Sequence, residues 1–308
     1  MKPQLGWKKE ASAGTNEFNG AAVTGTPFGA FLPNDDLVFP LPSHEATLTY
    51  KEGEHVAGYN TKGANTCEFT ISRQYNHGYG WVHALGKVSD EGGGLYKVTA
   101  GPLSSYSIYS QYTTPISAYG CKVNEYDFIS NKLVPIIHST SWIGMGIETP
   151  TEITADPPMV TPANIEDFVG GWLIDAGDLK LGTTNLVRCD SFSVKILRGV
   201  NAVHTNSRNA RRIHDPEIVA FVLQFSGDFD GEKEELINAI IDNVADQAFH
   251  YKLDIDGTHY HQIDIDHLDL QTPRVEGAQN EPNTYDVVAS GYGAFEVNLY
   301  DGHDYTTL

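Results

Sequence analysis

The sequence predicts a mainly β protein, and three observations carry that prediction. Segment after segment alternates apolar and polar residues, as in HEATLTY (44–50), CEFTISR (67–73) and DSFSVKIL (190–197), the period-two spacing of a half-buried strand. Glycine (30 residues) and tyrosine (16) are plentiful, while strong helical periodicity is confined to one segment. Turn-forming runs such as DEGGG (90–94) separate the alternating stretches. At 308 residues the chain has room for one large domain or two smaller ones.

Composition narrows the function. Hydrophobic residues at 40% and aromatic residues at 11% are globular values. Forty acidic residues against 20 basic ones leave a net charge of −20. Such a chain does not grip nucleic acid over a general surface, because phosphates are bound by cations; the same bias serves solubility and suits a salt-rich host. Cys67, Cys121 and Cys189 lie far apart, with no CxxC pair, and read as buried thiols, not as a disulfide framework or a zinc site. The N-terminus, MKPQLGWKKEAS, lacks the apolar core of a signal peptide, and no apolar run approaches the roughly 18–20 residues of a membrane helix. The chain therefore reads as soluble, made inside the cell, with no membrane partner.

Taken in order, residues 1–20 read as a polar arm that orders only against something else. A first domain, 21–148, holds strands at 44–50 and 67–73 around a polar, glycine-bearing loop. A short helix follows at 77–85, packing Trp81, Val82 and Leu85 and stopped by Gly86. Further strands are expected at 95–99, 106–112, 116–129 and 133–145. Residues 149–167 contain four prolines and no periodicity, and read as the linker. The second domain, 168–300, opens with a hairpin over 168–181. A strand at 190–197, a long arginine-bearing loop (199–216), a strand at 217–227 and a helix at 231–246 come next. That helix carries Leu236, Ile237, Ile240, Ile241 and Val244 on one stripe. Strands at 249–255, 259–272 and 284–300 and a tail at 301–308 complete the chain.

The second domain repeats the element order of the first. Strand 44–50, loop, strand 67–73 and helix 77–85 match 190–197, loop, 217–227 and 231–246; then 106–112, 116–129 and 133–145 match 249–255, 259–272 and 284–295. This reads as an internal duplication. Two similar domains in one chain present two similar edges, so three chains could close a ring that would need six single domains.

Motifs for chemistry are sparse. His259 and His261 form an H-x-H pair near Asp264, Asp266, His267 and Asp269. In strict alternation Asp264 and Asp266 fall on the opposite face, and His267 and Asp269 lie about 20 Å along the strand. The stretch reads as a polar strand surface. HGYGWVHALGK (77–87) has the wrong glycine spacing for a phosphate loop, and no G-x-S-x-G or HExxH appears. No catalytic, cofactor-binding or metal-ligating residue is expected.

Two groups stand out instead. Arg208, Arg211 and Arg212 place three of the chain's seven arginines on one loop, a cationic tip suited to docking on the acidic surface of a neighbouring copy. The polar faces of four strands carry Glu45, Thr47, Thr49, Glu68, Thr70, Ser72, Ser191, Ser193, Gln224, Ser226 and Asp228, with Lys195 and Lys51 the exceptions. Hydroxyls, an amide and acids suit the inside of a channel through which a polyanion slides.

These residues resemble the major tail tube proteins of siphovirus-type tailed phages. DSFSVKIL, the arginine loop, EIVAFVLQFSGDF and GEKEELINAII look like that family's inner-sheet hairpin and flanking helix, and HYHQIDIDHLDL to TYDVVASGYGAFEV is similar to its strand-rich end. CEFTISRQYNHGYGWVHALG and AYGCKVNEYDFI extend the likeness to the first half. The resemblance implies two tandem tube-like β-sandwich domains, each with one flanking helix, whose inner sheets join those of neighbours into a β-barrel. Homotrimeric, pseudo-sixfold rings would stack into the tail tube that conducts viral DNA, with Arg208, Arg211 and Arg212 in an inter-ring loop. Implied partners are further copies, a tape-measure protein and DNA in the lumen, and terminator and baseplate proteins at the ends. The implied place is the virion tail, assembled in the host cytoplasm. The alternatives are a tail terminator or baseplate ring protein, or a jelly-roll binding module or metal-dependent enzyme.

Overall fold

The computed structural model describes residues 4–18, 28–31, 43–49, 59–75, 77–111, 115–131, 134–148, 159–160, 179–182, 184–185, 189–205, 209–217, 219–228, 247–254, 258–276 and 284–306. Within them the chain is mainly β. The first half contributes β1 (Gln4–Lys9), β2 (Phe28–Phe31), β3 (Ser43–Thr49), β4 (Tyr59–Gln74), α1 (Tyr79–Leu85), β5 (Gly86–Gly92), β6 (Leu95–Ala100), β7 (Tyr106–Gln111), β8 (Pro115–Asn131), β9 (Ile137–Gly144) and β10 (Gly146–Glu148). After β11 (Met159–Val160) come β12 (Leu179–Leu181), β13 (Thr184–Asn185), β14 (Cys189–Leu197), β15 (Asn201–Val203), β16 (Arg212–His214), β17 (Ala220–Asp228), β18 (Gln247–Asp254), β19 (Tyr260–Glu276) and β20 (Thr284–Tyr300). All but β15 and β16 belong to one large sheet system.

Pairing order repeats along the chain. The first set runs β3–β4–β9–β8–β7, each pair antiparallel. The second runs β14–β17–β20–β19–β18, again antiparallel throughout. Even the irregularities correspond. Between Tyr106 and Ile108 of β7, β8 advances from Cys121 to Ala118; between Gln247 and Phe249 of β18, β19 advances from Leu268 to Ile265. Each long strand thus carries one extra residue, a β-bulge, at the same place.

A glycine also recurs in register. Gly144 of β9 sits opposite Cys67, and Gly291 of β20 opposite Phe221. A Cβ on Gly144 would stand 2.8 and 2.9 Å from the sulfurs of Cys67 and Cys121, and one on Gly291 would enter the Phe221 ring. Glycine makes room for two sulfurs at the first place and for an aromatic ring at the second. All three cysteines are buried thiols outside any disulfide.

The halves are not separate layers. Residues 125–131 of β8 pair with β14, and residues 296–299 of β20 pair with β6. One apolar core runs through both strand sets, from Phe69, Trp81 and Trp142 to Phe192, Tyr251 and Val297. Within it lies α1, apolar enough around its whole circumference that every residue is buried, as expected of a helix without a polar face. Gly86 closes it in the left-handed region (φ 91°), its N–H bonding the Val82 carbonyl.

Several expectations change. Residues 4–18 do not wait for another molecule: β1 pairs with β7 and β2, and Trp7 and Phe18 are buried. The half-turn after β1 is tied by Glu10, whose carboxylate accepts from Gly14 N, Gly120 N, Ser105 Oγ and Ser107 Oγ at 2.6–2.9 Å. Strand β9 begins at Ile137 and β17 at Ala220, later than alternation suggests. Glu217 instead belongs to the loop, at φ 58° with its N–H donated to Asp215. Of the residues expected as a tail, Asp301 and Tyr305 are built into the core, with Tyr305 only 2% exposed. The helix at 231–246 lies outside the described residues. So does the 149–167 linker except for β11, which pairs in parallel with β2.

Candidate assembly surface

Side by side, β4, β9, β8, β14, β17, β20 and β19 form seven consecutive strands of one sheet. Alternation sends one set of side chains into the core and leaves the other set on a single continuous face. One row across it reads Ser72, Ser139, Asp127, Lys195, Val222, Ser290, Asp269. The next reads Gln74, Ile137, Ile129, Ser193, Gln224, Val288, Gln271.

Most of the residues expected on a lumen face come together here. Glu68, Thr70, Ser72 and Gln224 are exposed, and Ser191, Ser193 and Ser226 are half-buried. Neighbouring strands link them: Thr70 to Ser141 at 3.3 Å, Ser191 to Ser226 at 2.7 Å, and the Gln224 amide to Asp286 at 3.2 Å. Glu45, Thr47, Thr49 and Asp228 lie on described strands, but their side chains, like the whole of Lys51, fall outside the described residues.

Four-strand reasoning missed the contribution of the other strands: Glu125, Asp127, Ser139 and Ser141 from β8 and β9, and Asp286, Ser290 and Gln271 from β20 and β19. Their alternation was present in 116–129 and 284–300, but only pairing shows that they share a face with the rest. That pairing also accounts for Lys195. Its ammonium bonds Glu125 and lies 3.8 Å from Asp127, and the Glu125 bond raises its pKa. Burial, helped by Glu125, holds Asp127 above the usual carboxylate range against the pull of Lys195. Lys195 is thus spent on its own sheet.

The arginine loop behaves differently from its expectation. It folds into a two-stranded ribbon, β15 against β16, and seats on the first half of its own chain. Val200, Ala210 and Ile213 are buried with Leu103, against Ile143, Met145 and Ala202. Four small or medium apolar residues of the loop, Val200, Ala202, Ala210 and Ile213, hold it there. At its base Arg198 bonds the Gly101 carbonyl at 2.8 Å and pairs with Asp215 at 3.3 Å. Burial alone would raise Asp215, but the N–H groups of Leu103 and Glu217 and the charges of Arg198 and Lys122 hold it below its usual range. Arg211 and Arg212 remain exposed at the tip, and Arg208 lies outside the described residues.

The histidine strand supplies an internal joint. His261 is 3% exposed and lies between Tyr75 Oη (2.6 Å) and Asp301 (2.7 Å). Trp81 Nε1–H donates to Tyr75, Tyr305 donates to Asp301, and Gly78 N–H donates to Tyr305. The donors form a consistent chain if His261 Nε2–H faces the carboxylate and Nδ1 accepts from Tyr75. An Asp–His–Tyr series has the order of a nucleophile triad, but Tyr75 is 1% exposed, and its hydroxyl is already held between Trp81 and His261. Asp264, on the other face, pairs with His250 at 2.7 Å. No group of three or more His, Cys, Asp or Glu able to hold a metal occurs among the described residues. No helix among them is long and apolar enough to cross a membrane.

The chain matches no protein-family model and no curated protein sequence.

Proposed function

We propose that this is a structural virion protein of the tail-tube kind. Each chain supplies two tandem tube-like domains, each with one flanking helix, and three chains close a pseudo-sixfold ring. Rings stack into the hollow tail through which viral DNA leaves, around a tape-measure protein and between terminator and baseplate proteins. The protein carries out no catalysis and holds no cofactor. The observation that carries this reading is the seven-strand face, where hydroxyls and acids stand beside Ile129, Ile137, Val222 and Val288 and where Lys195 is neutralised by Glu125 and Asp127. Such a wall repels phosphates mildly and offers them no row of free cations, so DNA passes without being held. The exposed Arg211 and Arg212, with Arg208, then form the contact to the next ring, on a loop anchored firmly enough to present them.

Negative-stain electron microscopy of the purified chain, with a light-scattering mass, tests the reading. Hollow tubes with a regular axial repeat are expected. Isolated rings that do not stack would replace it with a terminator or baseplate role. A monodisperse monomer at high concentration would overturn it. Replacing Arg208, Arg211 and Arg212 together with Ala should leave folded subunits and shorter tubes; tubes of normal length would remove the loop from the ring contact.

A further inference from the structure

Several charges on the strands are matched within the chain, such as Lys8 with Glu17, Lys97 with Glu296 and Lys195 with Glu125. Two short runs of like charge are instead exposed: Arg211 with Arg212, and Asp90 with Glu91. Each is the one place among the described residues where two exposed side chains of its sign are consecutive. Both runs stand on rigid supports. The arginines belong to the ribbon β15–β16, where Ala210 N–H donates to the Met145 carbonyl at 3.1 Å and Arg211 N–H to the Val203 carbonyl at 2.9 Å. The acids stand near the tip of the β5–β6 hairpin, whose turn is Gly93–Gly94. Both glycines have positive φ, 67° and 89°, as a type I′ turn requires. A register shift between Asp90 and Gly92 makes Glu91 the extra residue of a β-bulge. Gly92 N–H donates to Asp90 Oδ1 and Ser89 Oγ–H to Glu91 Oε1, each at 2.8 Å, so both carboxylates are oriented.

We propose that Asp90 and Glu91 of one copy receive Arg211 and Arg212 of the next, so that the acidic hairpin is the acceptor for the arginine ribbon. This names the partner surface of the contact proposed above, and rests on that reading for self-association.

Donor and acceptor occupy different places on one chain. The ribbon seats on the first strand set, reaching Met145 and, through Asn209, Tyr119 at 3.3 Å. The hairpin runs beside residues 296–299 of β20 in the second, fixed there by Lys97 and Glu296 at 3.0 Å. A contact between two different surfaces is head-to-tail, and it repeats from copy to copy as a stack of rings requires. Chemistry fits as well. A guanidinium fork matches the two oxygens of a carboxylate, and supports that are already ordered lose little entropy on docking. One exposed ion pair contributes little, but two per contact, repeated at each copy of a ring, act together. Charges in contact at about 3 Å lie well inside the Debye length of about 10 Å at 0.1 M salt. Screening therefore removes the long-range repulsion between chains of charge −20 before it removes this contact.

Charge exchange in the full-length chain tests it, with light scattering as the readout and melting temperatures checking the fold. Arg211→Glu with Arg212→Glu should weaken self-association at least tenfold, and so should Asp90→Lys with Glu91→Lys. An equimolar mixture of the two double variants should assemble again, because each ribbon then meets a hairpin of opposite charge. A milder variant, Arg212→Lys, treated with a carbodiimide, should give covalent oligomers in which mass spectrometry joins position 212 to Asp90 or Glu91 of another copy. If assembly survives the exchange at Asp90 and Glu91, or the mixture stays apart, or position 212 joins other residues only, the acceptor lies elsewhere while the assembly reading stands. If the unmodified chain never associates, both fall together.

Discussion

Asp301 lies seven residues before Leu308, yet its carboxylate ties β19, the β4–α1 connection and residues 301–305 together through His261, Tyr75 and Tyr305. Burial would raise its pKa, but His261, and after it His303, hold it well below the usual carboxylate range. Removing one partner of a buried pair strands the other. Asp301→Asn should therefore cost about 3 kcal/mol in urea unfolding, and Tyr305→Phe about 1–2 kcal/mol. The buried histidines set a pH dependence. Burial, with the nearby charge of Arg73, holds His77, His83 and His138 well below the ordinary value of 6.5. The unfolded chain binds protons at these sites below that pH and the folded chain does not, so stability falls as pH drops through about 6.5. Asp301 has the lowered carboxylate case: its contribution is complete above about pH 4 and is lost on further acidification. Calorimetry from pH 8 to 5 should show a falling melting temperature, with a shallower slope in His83→Phe.

Two kinds of element matter most, the close-packed strands and the seated loop. Gly144 lies between Cys67 and Cys121, so Gly144→Ala should force strands or sulfurs apart at a cost of about 1–3 kcal/mol. Denaturant titration would measure it. The arginine loop is held by few groups, among them Val200 and Ile213. Changing both to Ser should release the ribbon and speed limited proteolysis within 199–216, while the melting temperature of the body moves little. Strand β14, by contrast, is paired on both edges, so its amides should be among the slowest to exchange.

At the scale of the molecule, no described strand pairs with the second edge of β3 or of residues 269–276 of β19. An exposed edge is an aggregation hazard unless something guards or fills it. The net charge of −20 opposes random association of copies. Self-association of the kind proposed for this chain would be strengthened by screening of that repulsion. Raising salt from low to about physiological strength should therefore increase the mass seen by light scattering.

Alternation and turn chemistry alone located most of the long strands and the end of α1, and showed that strands recur in a similar order in the two halves. Those are local properties: a period of two, a glycine at a left-handed position, a repeated spacing. Strand partners are not local. Only the tertiary structure decided that β8 joins β14, that Glu125 and Asp127 meet Lys195, and that the faces of seven strands become one. It also decided the places of Glu10, Asp301 and Tyr305, isolated polar residues near the chain ends with no periodic signal. Their partners come from strands scores of residues away, and a buried carboxylate is recognisable only once those donors have been brought to it.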